Sequence, residues 1–156
     1  MKKTVLFICL VSVLVSAEEP FTGNINALKA DPVYAVSLSK YPKWHAFALL
    51  QNGKTIEFIS VKSMMQVFFN QAQFKKRKLI DDEIKTLWVK DFINGEKIEA
   101  SKAVYLFGSR MVGPHGDDLI PFSSESNAKL FMMKNGGTKI LPYSKLTQGL
   151  IRYLDM

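Results

Sequence analysis

The chain has 156 residues and a formal charge of +7, with 21 Lys and Arg against 14 Asp and Glu. This length is typical of one domain that buries a core of its own. The single cysteine, Cys9, excludes an intrachain disulfide and a zinc site built from several thiolates.

The first 17 residues are typical of a secretory signal peptide. Two lysines precede an apolar run at 4–15, and small residues follow up to Ala17. The run is shorter than the about 20 residues that span a membrane, although an uncleaved anchor helix is the alternative. Cleavage after Ala17 would also remove Cys9. We therefore expect a periplasmic protein without stable membrane insertion.

The next residues, 18–30, have little pattern and are expected to form an extended entry segment before a domain at 31–156. In its first half, about 31–95, apolar runs flank an Asn-Gly pair, which is typical of a β-hairpin. Apolar residues then recur every three or four positions, which predicts a helix with one buried face. The predicted elements are strands at 44–50, 55–59 and 86–90 and a helix at 60–69.

The densest basic run, 75–78, is followed at once by the acidic residues 81–83. Neighbouring opposite charges predict a solvated linker or helix end. Nucleic acid is not an expected partner, because an exported chain has no access to it and no aromatic residues interleave with the run.

The second half, about 96–156, repeats the order strand, strand, helix, strand. A serine can cap its helix, and a pair of glycines ends it. The predicted elements are strands at 103–107, 119–122 and 138–141, a turn at 113–117, a helix that begins after Ser123 or Ser124, and a short helix in the tail after Ser144. We predict an α+β fold in which two similar ββαβ halves form one compact unit.

Few groups suited to catalysis are present. The sequence has no serine in a nucleophile elbow and no glycine-rich phosphate loop, and His45 and His115 are its only histidines. An enzyme with an unrecognised site, for example one using the adjacent Asp117 and Asp118, is the less favoured alternative. We expect a protein without catalytic activity.

Soft metal donors lie around one turn. Met111 and His115 are four positions apart on either side of the Gly113-Pro114 corner, and a thioether with an imidazole suits Cu(I). Met64 on the first helix and His45 in the first strand are further candidates. Each has an ordinary alternative, since methionines pack in cores, a turn histidine is commonly a surface residue, and His45 faces either solvent or the metal.

Several stretches resemble the NosL family, the periplasmic copper-binding accessory proteins of nitrous-oxide-reductase assembly, which have two similar ββαβ halves. The resemblance covers roughly residues 31–146. The matching stretches are Tyr41-Pro-Lys-Trp44, Asn52-Gly-Lys54 with Phe58, Trp88-Val-Lys-Asp91, Ala103-Val-Tyr105, Gly108-Ser109, Gly113-Pro114 with Gly116, Ile120-Pro-Phe122, and Asn127-Ala128 through Gly136-Gly137.

The chain departs from this family at its metal-binding elements. Members commonly begin the domain with C-x-x-C-G-M, where this chain has Asp31-Pro-Val-Tyr34-Ala35-Val36, and a common Pro-Met-Gly is Pro114-His115-Gly116 here. The methionine of the first helix is kept as Met64. Because thiolates are strong Cu(I) ligands, their loss should weaken the affinity for soft metals.

Together, the resemblance and the spacing of the donors predict a copper chaperone or assembly factor with a low-coordinate Cu(I) site. The predicted ligands are His115, Met111, Met64 and His45. The implied partner is a copper-receiving periplasmic protein or a copper transporter. The alternative is a metal-free binding or scaffold module with the NosL fold, which docks on a periplasmic partner.

Overall fold

The computed structural model describes residues 24–25 and 30–156. The predicted signal peptide and nearly all of the entry segment lie outside these residues. Within the described residues, no helix is long and apolar enough to cross a membrane.

The first sheet has five strands and contains the predicted hairpin. Its strands are β1 (Asn24–Ile25), β2 (Ala46–Leu50), β3 (Lys54–Phe58), β4 (Ile84–Lys90) and β5 (Lys97–Glu99), in the order β1-β3-β2-β4-β5. Strand β1 runs parallel to β3, and the other neighbours are antiparallel. Gly53 allows the tight turn between β2 and β3, because its φ of 81° is in the left-handed region.

The second sheet repeats the topology of the first on a smaller scale. Its strands are β6 (Val104–Phe107), β7 (Ile120–Phe122) and β8 (Lys139–Pro142), all antiparallel, in the order β7-β6-β8. This order corresponds to β3-β2-β4 of the first sheet. The predicted α+β class with two similar ββαβ halves is confirmed.

In the described part of the chain, four α-helices accompany the sheets: α1 (Val61–Phe69), α2 (Gln71–Lys76), α3 (Glu125–Asn135) and α4 (Gln148–Leu154). Helices α1 and α3 begin alike, because the hydroxyl of the preceding serine accepts a backbone N–H of the first turn. Ser60 accepts from Ser63 at 3.3 Å, and Ser124 accepts from Asn127 at 3.2 Å. Of the two predicted caps for α3, the structure therefore selects Ser124.

The apolar faces predicted from periodicity are those that pack inward. On α1, Val61, Met64 and Met65 are buried in a first cluster with strands of the first sheet and with α4. On α3, Ala128 is buried in a second cluster that includes Trp44 and residues of the second sheet. Each cluster contains residues from both halves, since the first includes α4 and the second includes Trp44.

Helix α2 and strand β5 were not predicted. Phe74 is the only buried residue of α2, and the three residues of β5 are all half-buried. Neither segment therefore has the periodicity that identifies an element. The basic run begins in the last turn of α2, where Lys75 lies 3.7 Å from Glu83, so it is the solvated helix end expected from its charges.

Candidate functional site

A buried aspartate organises the loop that carries Tyr34. One oxygen of Asp31 accepts the N–H groups of Val33 and Tyr34 at 2.9 and 2.8 Å. The other accepts the N–H of Ile59 at 2.9 Å and the hydroxyl of Ser63 at 2.6 Å. These four bonds hold the loop against the start of α1.

The loop at 91–96, which leads from the first half into the second, has the same construction. One oxygen of Asp91 accepts two N–H groups of its own loop at 2.8 and 3.2 Å, and the other accepts the N–H and the hydroxyl of Ser123, both at 2.7 Å. Ala35 and Gly95 occupy the same place in the two loops, with φ of 54° and 77°. The internal repeat therefore includes the segment that stands in place of C-x-x-C-G-M.

The turn after β6 reaches this first loop. The rings of Tyr34 and His115 are stacked, with centroids 4.0 Å apart and planes 13° apart. Tyr34 stands where the family commonly has its second cysteine, and His115 stands where it commonly has methionine. The two elements that the resemblance identifies as metal-binding are thus in direct contact, although neither carries its usual soft ligand.

Tyr34 itself is unsuited to bind a metal. Its hydroxyl donates to Asp155 at 2.7 Å and accepts from the amide of Gln66 at 2.8 Å. Burial, together with the hydrogen bond and charge of Asp155, raises the pKa of Tyr34 well above its ordinary value. The side chain therefore stays a neutral phenol whose oxygen is already engaged.

A fully buried lysine lies beneath the stacked rings. The ammonium of Lys62 donates to the carbonyls of His115 at 2.6 Å and Leu154 at 3.0 Å, and it lies 3.6 Å from a carboxylate oxygen of Asp155. It is also 5.4 Å from the centre of the Tyr34 ring. One cation thus joins α1 to the His115 turn and to the end of α4.

Sequence reasoning did not identify Lys62 as part of the site. Lysines are almost never fully buried unless they are paired, and the partners of Lys62 are 53 and 92 residues away in the sequence. Its position between Val61 and Ser63, in the first turn of the predicted helix, gave no local signal of burial.

Asp118 holds the turn to α1 from the other side. One of its oxygens accepts the backbone N–H groups of Lys62 at 3.0 Å and Leu119 at 2.8 Å. Its second oxygen is buried and has no hydrogen-bond partner among the described residues. Burial raises the pKa of Asp118 to about 6. The adjacent Asp117 is exposed, so the two carboxylates of the turn have different environments.

The predicted methionine ligands lie in separate apolar environments. Met64 has an exposed fraction of 0% and belongs to the first core cluster. Met111 is half-buried and packs against the second cluster. Packing, the ordinary role of methionine, accounts for both positions.

His45 is enclosed and already paired. One ring nitrogen lies 2.7 Å from the carbonyl of Leu38, and the other lies 2.6 Å from the carboxylate of Glu57. Each nitrogen is in close contact with an acceptor oxygen, so neither is open to a metal ion. His45 faces neither solvent nor a cluster of donors, because it is 7% exposed and holds β3 to the segment before β2.

His115 is the histidine with available nitrogens. Its ring is exposed, and neither nitrogen makes a hydrogen bond within the described part of the chain. It borders a cleft of about 350 Å³, here called the His115 cleft, lined by Lys62, His115, Gly116, Asp117 and residues 153–156. Residues 24–25 and 30–156 contain no group of three or more His, Asp or Glu placed to hold a metal. A metal site in this region must therefore use fewer of these ligands, or thioethers.

Comparison with known proteins identifies the family. The sequence profile of the NosL family matches residues 23–151. The copper chaperone NosL from Shewanella denitrificans has a similar crystal structure, with a TM-score of 0.63 and 18% identity over 81% of this chain and 95% of that one. The solution structure of apo-NosL from Achromobacter cycloclastes aligns with a TM-score of 0.46 and 22% identity over 68% and 87% of the two chains. No curated sequence is significantly similar. Because the family profile spans most of its length, the chain belongs to the NosL family.

Proposed function

We propose that this protein is a copper-binding accessory protein, which carries Cu(I) as cargo for another protein and catalyses no reaction of its own. Membership of the NosL family supports a role in copper handling. The observation on which the proposal depends is the contact between Tyr34 and His115. It brings a free imidazole to the place where the family's two metal-binding elements meet.

The chemistry of His115 suits a carrier. Imidazole is a good ligand for copper, and a neutral nitrogen holds Cu(I) less tightly than a thiolate does. The ring is also exposed, so a recipient protein can reach a metal bound to it. Weak binding and access from solvent are the two properties that transfer requires.

The recipient we propose is a periplasmic protein or a copper transporter, with a nitrous-oxide-reductase-type enzyme as the final destination of the copper. The signal-like segment at 1–17 supports the periplasmic location. The family resemblance supports the link to the reductase. The periplasmic location and the link to the reductase both belong to the proposal.

The test is a Cu(I) titration of the mature protein under anaerobic conditions against a competing chelator. We expect about one equivalent to bind at micromolar copper. The substitution His115→Ala should weaken binding at least about tenfold, since even loss of a group that only supports a metal ligand costs about 10–100-fold. Met111→Leu should leave the affinity unchanged, because Met111 already packs in the second cluster. Equal affinities for wild type and His115→Ala would contradict the role of His115.

A metal-free scaffold is the second candidate. It is favoured by the apolar packing of Met64 and Met111 and by the engaged hydroxyl of Tyr34. On this alternative, wild type and His115→Ala fail equally to compete for copper. Neutralising the basic run 75–78 then tests whether that run contributes to docking on a periplasmic partner.

A further inference from the structure

Sulfur donors that solvent can reach are scarce in this chain. Of the seven methionines, six lie in the described residues. Met64 and Met65 are buried, and Met111 and Met132 pack against the second cluster. Only Met133 and Met156 are exposed, with exposed fractions of 82% and 102%.

The two exposed methionines differ in their surroundings. Met156 lines the His115 cleft together with His115 itself. Met133 lies near the end of α3 and is not among the residues that line this cleft. Met156 is therefore the accessible thioether that shares a cavity with the available imidazole.

The two walls of this cleft are fixed to each other by Lys62. Its ammonium donates to the carbonyl of His115 on one wall and to the carbonyl of Leu154 on the other. Met156 follows Leu154 by two residues, and its N–H lies 3.4 Å from the carbonyl of Tyr153. The backbones that carry the imidazole and the thioether are thus held close by one buried group.

The charges around the cleft also suit a cation. Its single ammonium, that of Lys62, lies 3.6 Å from Asp155, and Asp117 adds a second carboxylate. With a neutral imidazole, the side chains of the lining carry one positive and two negative groups. A monovalent metal ion entering the cleft would balance this charge instead of adding to an excess.

We infer that Met156 supplies the sulfur ligand that joins the nitrogen of His115 in holding Cu(I) in the His115 cleft. This inference rests on the proposed function. A neutral thioether with an imidazole selects Cu(I) over harder divalent ions. A methionine side chain has three rotatable bonds, so an exposed one can turn toward a metal without moving the backbone. Met156 is thus the proposed sulfur ligand, in place of Met111, which the sequence spacing predicted.

The experiment compares Met156→Leu with Met133→Leu, a matched loss of an exposed thioether outside the cleft. Competitive Cu(I) titration and copper X-ray absorption are measured on the full mature chain. We expect Met156→Leu to weaken Cu(I) binding at least about tenfold and to remove sulfur scattering while nitrogen scattering persists. Met133→Leu should behave like wild type in both measurements.

The outcomes separate the inference from the proposed function. If Met156→Leu keeps wild-type affinity and sulfur scattering while His115→Ala loses binding, Met156 is not the ligand and the copper-carrying role stands. If wild type itself binds no Cu(I), the proposed function fails and the inference fails with it. If sulfur scattering is lost in Met156→Leu but kept in Met133→Leu, the result supports both the inference and the proposed function.

Discussion

Ala35 adopts a backbone conformation that its family commonly gives to glycine. Its φ of 54° lies in the left-handed region, which costs a residue with a Cβ about 1–2 kcal/mol. The loop keeps this shape because Asp31 fixes it, with its backbone carbonyl accepting the N–H of Ala35 at 3.0 Å. The segment 31–36, which stands in place of C-x-x-C-G-M, thus keeps a turn where the family commonly has glycine.

Ala35→Gly should therefore stabilise the protein. Relief of the left-handed strain exceeds the about 0.4–1 kcal/mol lost to a more flexible unfolded chain, so the free energy of unfolding should rise by about 0.5–1 kcal/mol. Urea denaturation measures it. The matched control is Gly95→Ala in the equivalent loop, where a Cβ meets no atom within 4 Å but φ is 77°. It should lower stability by about 1 kcal/mol, and a rise there would contradict the argument.

Asp118 makes stability depend on pH in an unusual direction. Its pKa is raised by burial from 3.8 to about 6, so the folded state binds its proton more tightly than the unfolded state does. The free energy of unfolding should therefore decrease by up to about 3 kcal/mol as the pH rises from about 4 to about 6, and this contribution should then stay constant. Other carboxylates add their own dependence. For Asp91, burial raises the pKa, but the hydrogen bonds from Ser123, Ile93 and Asn94 together lower it below its ordinary value.

The difference between wild type and Asp118→Asn isolates this effect. The amide oxygen of asparagine can still accept the N–H groups of Lys62 and Leu119 but does not titrate in this range. Denaturation curves between pH 4 and 7 should show the two proteins diverging below pH 6, with wild type gaining more stability toward low pH. Parallel curves would show that Asp118 does not titrate there.

At the scale of elements, α1 begins against carboxylates from other segments. It has no acidic residue in its own first turn. Asp31 instead accepts the N–H of Ile59, and Asp118 accepts the N–H of Lys62. The bond from Lys62 satisfies a donor that a helix N-terminus leaves free, and both aspartates place negative charge where the helix dipole favours it. The start of α1 therefore fixes both the Tyr34 loop and the His115 turn.

Lys62→Met should loosen the links between α1, the His115 turn and α4. The substitution keeps an unbranched side chain but leaves two carbonyls without their charged donor, so stability should fall by about 2–3 kcal/mol. Cu(I) affinity should fall with it, because the cleft walls are no longer held together. Urea denaturation and the copper titration measure the two effects.

The control is Lys76→Met, since Lys76 is exposed at the end of α2. Its stability should stay within about 0.5 kcal/mol of wild type. A similar result for Lys62→Met would show that the buried ammonium contributes little to the fold.

At the scale of the whole molecule, contacts between the two halves build the site. Tyr34 belongs to a loop of the first half, and His115 to a turn of the second. The hydrogen bond from the backbone N–H of Lys62 to Asp118 also crosses between the halves. The Tyr34 loop and the His115 turn therefore meet because the two halves pack against each other.

The sequence by itself determined the α+β class, the strands and helices of the ββαβ repeat in both halves, and the turn that carries His115. Local periodicity and turn chemistry specify such features, because they depend on residues a few positions apart. The tertiary structure alone decided which donors are available. It buried Met64 in the core, paired both nitrogens of His45, left His115 free and placed Met156 in the same cleft as His115. Whether a donor is available to a metal depends on partners from distant segments, which a local sequence pattern does not predict.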